Sequence, residues 1–252
     1  MSDIEYKVAK TVREAASLMA AAKGKGYILA GGTDLLVQMK SGARTPGVIV
    51  DVKKIPEMVS ISEQNGAFTI GAATPAADSV PALVAAGCIV NVAGPKGKRA
   101  VPVEKFCTGP GKTSLNPGEI VVSLTLPKRP KNSSDAYLRL IPRTEMDIAV
   151  VGVGISLTMK GDTVTDARVG LGAVAPTVLL VDKAAKALIG SKLDDAALDA
   201  AAAACSAACK PIDDKRGTIK YRTKIAGVLL KRTAMIARER INGIEHHGHR
   251  PV

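Results

Sequence analysis

Tyr27-Ile28-Leu29-Ala30-Gly31-Gly32-Thr33-Asp34-Leu35-Leu36 drives an apolar strand straight into a turn that lacks side chains. The Gly31-Gly32 pair removes the steric limit on positive φ and also the Cβ atoms that would hold a ligand away from the main chain. Backbone N–H groups in such a turn can form a nest for an anion. Thr33 and Asp34 follow as a hydroxyl and a carboxylate, either able to cap the turn of helix suggested by Leu35, Leu36 and Met39. A cap and a phosphate site are compatible readings. The plain alternative is a tight strand-to-helix connection with no ligand.

Working outward, the spacing of Val12, Ala15 or Ala16, and Met19 predicts a helix over 11–23. Short β-branched runs predict strands at 28–30, 48–52 and 68–71. A second helix is expected over 79–86, with Ser79 as its cap and Pro81 tolerated in its first turn. Strands follow at 88–93, 99–103 and 120–126, and Gly94-Pro95-Lys96-Gly97 marks a hairpin loop between the first two. Composition changes at 127–135, where Pro, charge and small polar residues read as a linker. Beyond it, strands are expected at 137–141, 149–159 and 164–174, with Gly161-Asp162 as a hairpin turn. Helices over 194–209 and 218–242 close an α+β second domain. The expected division is 1–130, 131–242 and a disordered tail over 243–252.

The chain is long enough, at 252 residues, for one large domain or two small ones, and two is the better fit. With no Trp and two Phe, its core is built from Val, Ile, Leu and Ala. The formal charge of +12 raises the question of nucleic acid, but two Phe and four Tyr supply few stacking platforms. A phosphate-bearing ligand or an acidic partner subunit uses such charge equally well. Residues 1–10 are charged and show no targeting signal, and the Ala-rich run over 196–209 is shorter than the ~20 apolar residues of a membrane span. A cytoplasmic protein without membrane contact is expected.

The chemistry-bearing motifs mostly fail on spacing. Gly109-Pro110-Gly111-Lys112-Thr113-Ser114 ends like a P-loop, but Phe106 stands where that motif requires glycine. The Gly-x-Gly-x-x-Gly fingerprint is absent after 28–30, so a Rossmann fold is unsupported. Cys88, Cys107, Cys205 and Cys209 form no Cys-x-x-Cys pair, and His246, His247 and His249 crowd the tail, so no metal site is signalled. No Ser-His or Cys-His set exists outside the tail. Any redox chemistry must therefore reside in a bound cofactor.

Taken in order, several segments resemble the FAD-binding medium subunit of molybdenum hydroxylases, the family of xanthine dehydrogenase and carbon monoxide dehydrogenase. These are 30–36 (Ala-Gly-Gly-Thr-Asp-Leu-Leu), 51–55 (Asp-Val-Lys-Lys-Ile), 75–79 (Pro-Ala-Ala-Asp-Ser), 106–113 (Phe-Cys-Thr-Gly-Pro-Gly-Lys-Thr), 117–121 (Pro-Gly-Glu-Ile-Val) and 143–149 (Arg-Thr-Glu-Met-Asp-Ile-Ala). The resemblance implies a vanillyl-alcohol-oxidase-type (PCMH-type) FAD domain, then a smaller domain like the carbon monoxide dehydrogenase flavoprotein C-terminal domain. It implies FAD here, with 2Fe-2S centres and molybdopterin carried by partner subunits, and electron flow through FAD to an external acceptor. By position, Ile28, Leu29, Ala30, Gly31, Gly32, Thr33, Asp34 and Leu35 line the pyrophosphate. Asp78 approaches the adenosine portion, Val121 offers a main-chain contact and Arg139 stands near the flavin, with buried ion pairing as the alternative role for Asp78 and Arg139. The chain departs from the family at one place. A helical stretch and a second Gly-Gly turn, usually Thr-Ile-Gly-Gly-Asn, are missing where Thr74 abuts Pro75. A scaffold subunit that has lost FAD is the alternative this departure opens.

Overall fold

A computed structural model describes residues 4–74, 79–143 and 148–244. Along the chain these form β1 (Glu5–Val8), α1 (Val12–Ala21), β2 (Gly26–Leu29), α2 (Leu35–Lys40), β3 (Val48–Asp51), α3 (Pro56–Val59), β4 (Ile61–Gln64) and β5 (Ala67–Gly71). Next come α4 (Val80–Ala85), β6 (Ile89–Gly94), β7 (Gly97–Pro102), β8 (Cys107–Gly109), β9 (Lys112–Thr113) and β10 (Ile120–Leu126). The remainder is β11 (Ser133–Leu140), β12 (Val151–Lys160), β13 (Thr163–Gly172), β14 (Leu179–Leu180), α5 (Asp182–Leu188), α6 (Asp195–Ala208) and α7 (Ile219–Ile241).

The described residues fall into two compact units that interleave in sequence. The first gathers those of 1–76, 89–106 and 113–128, and the second those of 77–88, 107–112 and 129–252. Helix α4 and residues 107–112, which include β8, group with the second unit although they precede the expected break near 130.

In the first unit, β1 and β2 flank β3 in a parallel three-stranded sheet, and α1 supplies the crossover. Helix α1 opens on a reciprocal cap: Thr11 accepts from Glu14 N at 3.1 Å, and Glu14 Oε2 accepts from Lys10 N at 2.8 Å. Its buried Val12 and Ala15 meet Val50, Val52, Ile55, Met58 and Ile120 in one small core. A five-stranded antiparallel sheet, ordered β4-β5-β10-β6-β7, completes the unit.

The second unit is an antiparallel sheet, β11-β12-β13-β14, with helices on both faces. Alternation places Val153, Ile155, Leu157, Val169 and Leu171 toward α5, α6 and α7, where they pack with Leu188, Leu198, Ala226 and Leu230. The opposite face carries cross-strand pairs Gly152–Gly172 and Gly154–Gly170. A Cβ on Gly154 or Gly170 would stand 2.5 or 2.4 Å from the Pro81 carbonyl oxygen, so only glycine lets α4 lie this close. Arg168 then donates from Nη2 to Val84 O at 3.0 Å and closes the end of α4.

Three expectations are corrected. Ser79 occupies the cap position of α4, but its side chain makes no capping bond. The stretch read as a linker over 127–135 becomes strand at Ser133, since Ser134 and Ala136 alternate inward. Cys205 and Cys209, four apart in an Ala-rich helix, read as two small buried thiols, but Cys209 is only half-buried. The histidines and most of the expected tail lie outside the described residues. Among the described residues, no helix is long and apolar enough to cross a membrane.

Candidate flavin site

Strand β2 ends at Leu29, and residues 30–34 turn the chain into α2. The two glycines of the turn answer to different constraints. Gly32 has φ +81°, and a Cβ there would lie 3.1 Å from Leu29 Cδ1, so the fold itself requires glycine. Gly31 has no such demand, because a Cβ added to it would meet nothing within 4 Å. Space is open in front of it.

The amides of the turn are also unclaimed. Leu36 N donates to Gly32 O and Gln38 N to Asp34 O, but among the described residues none of the Gly31, Gly32, Thr33 and Asp34 amides donates to a backbone carbonyl. Asp34 occupies the cap position of α2 without a capping bond, which corrects that expectation. Its Oδ2 instead accepts from Gln38 Nε2 at 2.7 Å, along the helix rather than over the turn. Donors, open space and no competing acceptor fit a diphosphate.

Two further segments border the same core. Ala30, Ala72, Ala73 and Val122 all pack against it, which brings together the turn, the end of β5 and the middle of β10. At the end of β5, Ala73 N donates to Met58 O at 2.7 Å, and the Thr74 hydroxyl is buried with no hydrogen-bond partner. A buried orphan hydroxyl is costly to the fold and is a natural contact for a polar ligand atom. In β10 the register slips: Val121 pairs with Val92 and Ser123 with Asn91, leaving Val122 unpaired on that side. Such bulges often border functional sites.

Of the residues expected from sequence, Ile28, Leu29, Ala30, Gly31, Gly32, Thr33, Asp34, Leu35 and Val121 lie in the first unit. Arg139 lies on β11 of the second unit, opposite Gly152, and is exposed. Asp78 lies outside the described residues. Asp51 ties β1 to β3, accepting from Tyr6 Oη at 2.5 Å and Lys53 Nζ at 2.8 Å. Gly109–Ser114 is the β8–β9 hairpin, with Gly111 at φ +65°, and not a strand-loop-helix phosphate site. Sequence reasoning missed Thr74 and the bulge. Neither leaves a local signal, since an orphan hydroxyl and a register slip exist only once three segments have met.

The family description "FAD binding domain in molybdopterin dehydrogenase" matches residues 2–76 and 72–129, and "CO dehydrogenase flavoprotein C-terminal domain" matches 136–237. The chain belongs to the FAD-binding medium-subunit family of the CO dehydrogenase and xanthine dehydrogenase class. Among this family's members, the carbon monoxide dehydrogenase medium chain of Afipia carboxidovorans is 29% identical, over 94% of this chain and 97% of its own. The putative xanthine dehydrogenase FAD-binding subunit of Escherichia coli K12 is 26% identical, over 90% and 93%. A solved carbon monoxide dehydrogenase from Hydrogenophaga pseudoflava superposes with a TM-score of 0.89 at 30% identity, covering 94% of this chain and 98% of that one. The FAD-domain match comes in two pieces that overlap at 72–76. The Afipia alignment runs over 280 positions, more than the 252 residues of this chain, so gaps fall on this side.

Proposed function

We propose that this chain holds FAD and passes electrons from iron–sulfur centres of a partner subunit to an external acceptor, within a complex whose molybdopterin subunit selects the substrate. One observation carries the proposal: Gly31 stands at the end of β2 with open space before it and amide donors around it that no backbone carbonyl uses. In this reading the amides of Gly31, Gly32, Thr33 and Asp34 hold the diphosphate, and the Thr74 hydroxyl and the Val121 main chain border it. FAD supplies the electron-accepting ring. Arg139 is one of the cationic residues behind the net charge of +12, which favours a ligand carrying negative charge.

The missing segment favours a second reading, a scaffold that keeps the family fold without FAD. Its absence removes donors that would face the first turn, and at about 1 kcal/mol or more for each hydrogen bond to a charged group, several lost bonds weaken binding by orders of magnitude. The visible absorption spectrum of the purified, desalted protein separates the two. A flavin spectrum, either retained or acquired on adding FAD, supports the electron-transfer reading. Colourless protein that takes up no FAD leaves the scaffold.

A further inference from the structure

Glu119 stands at the entrance to β10, and its carboxylate is held by three hydrogen bonds. It accepts from Arg99 Nε at 2.8 Å, Arg99 Nη2 at 2.7 Å and Asn116 N at 2.6 Å. Arg99 Nη2 also donates to Ser114 O at 2.7 Å, so one guanidinium on β7 ties down both ends of the 114–119 loop. The bidentate pairing with Arg99, together with the Asn116 amide, holds the Glu119 carboxyl at about 2, against its usual 4.5. The loop is wedged as well as tied. A Cβ on Gly118 would lie 2.8 Å from Ala20 Cβ, and one on Gly94 would lie 2.6 Å from Glu119 Cγ.

This clamp sets where β10 begins, with Ile120 opposite Ala93. A second pin sets where it continues: Asn91 Nδ2 donates to Ser123 Oγ at 3.0 Å and to Thr125 Oγ1 at 2.8 Å. Between the pins β10 has one residue more than β6, and the surplus is Val122. Its carbonyl turns to the other side and accepts from Ala72 N at 2.9 Å, two residues before the orphan hydroxyl of Thr74. The bulge is therefore a product of two fixed ends.

We infer that Glu119 is a positioning residue of the flavin site: by clamping Arg99 it fixes the register that forces the Val121–Ser123 bulge against the end of β5. The inference rests on the proposed FAD site. Its test is the FAD dissociation constant, followed by quenching of flavin fluorescence, for the wild type, Glu119→Ala and Glu119→Gln, with the melting temperature of each apoprotein and the visible circular dichroism of bound flavin. Glu119→Ala is expected to weaken FAD binding roughly tenfold or more and to alter the flavin dichroism below the melting transition. Glu119→Gln keeps an acceptor for Asn116 N and recovers part of the affinity. A folded Glu119→Ala protein that binds FAD as tightly as the wild type, with lowered melting temperature alone, overturns the inference. Should Glu119→Ala not fold, Arg99→Lys decides, since it keeps the charge and loses the fork: weakened binding supports the clamp and unchanged binding overturns it. A wild type that binds no FAD overturns the proposed function, and the inference falls with it.

Discussion

At the scale of the residue, the adjacent glycines of the β2–α2 turn separate a demand of the fold from a demand of the ligand. Gly31→Val fills open space, so it is expected to change stability by no more than about 0.5 kcal/mol while abolishing FAD uptake, read as flavin absorbance after desalting. Gly32→Ala must adopt φ near +81° and press on Leu29, so it is expected to cost about 1 kcal/mol or more in denaturant unfolding. Glu119 makes a further prediction through pH. Its carboxyl is held at about 2 in the folded chain, so the unfolded chain takes up the proton first as pH falls below the usual 4.5. The stabilisation is fully present above that range and is lost as acid titrates the folded carboxyl. Wild-type stability should fall between about pH 4.5 and 2, and Glu119→Gln should flatten that decline. The glycine pair was legible in sequence because two adjacent glycines after an apolar run have few uses. Glu119 lies in the 117–121 segment, but its partner Arg99 is twenty residues away on another strand, and nothing local joins them.

At the scale of the element, periodicity carried most of the fold. Helices α1, α4, α6 and α7 and strands β2, β3, β5, β6, β7, β10, β11, β12 and β13 lie where spacing and turn residues placed them, with ends shifted by a few residues. Strands β1 and β4 and helix α5 were among the elements that escaped; β1 is exposed over its first half and β4 throughout, so neither strand shows an inward alternation. The docking of α4 was hidden for another reason. Gly152, Gly154, Gly170 and Gly172 look like scattered strand glycines until the β12–β13 register aligns them in two cross-strand pairs. Gly154→Ala is expected to destabilise the second unit by about 1–3 kcal/mol, since its new methyl would meet the Pro81 carbonyl, which is backbone and cannot rotate away. Thermal unfolding followed by circular dichroism measures it, and an unchanged melting temperature would show that α4 shifts freely.

At the scale of the whole molecule, the two pieces of the FAD-domain match overlap at 72–76, around Thr74-Pro75. Inserting a relative's intervening segment there is expected to tighten FAD binding, measured by titration against the unmodified chain. Equal affinities would mean that the β2–α2 turn suffices. The four cysteines have a practical consequence. Cys88 and Cys205 are sealed in the interior, burial pushes the Cys205 thiol up to about 12 and the half-buried Cys209 thiol up to about 11, whereas Cys107 is exposed on β8. Thiol reagents act on the thiolate, so at neutral pH a maleimide should couple to Cys107 alone. A fluorophore or spin label can thus be set at one known point of the otherwise unaltered chain, with no prior removal of the remaining sulfhydryls.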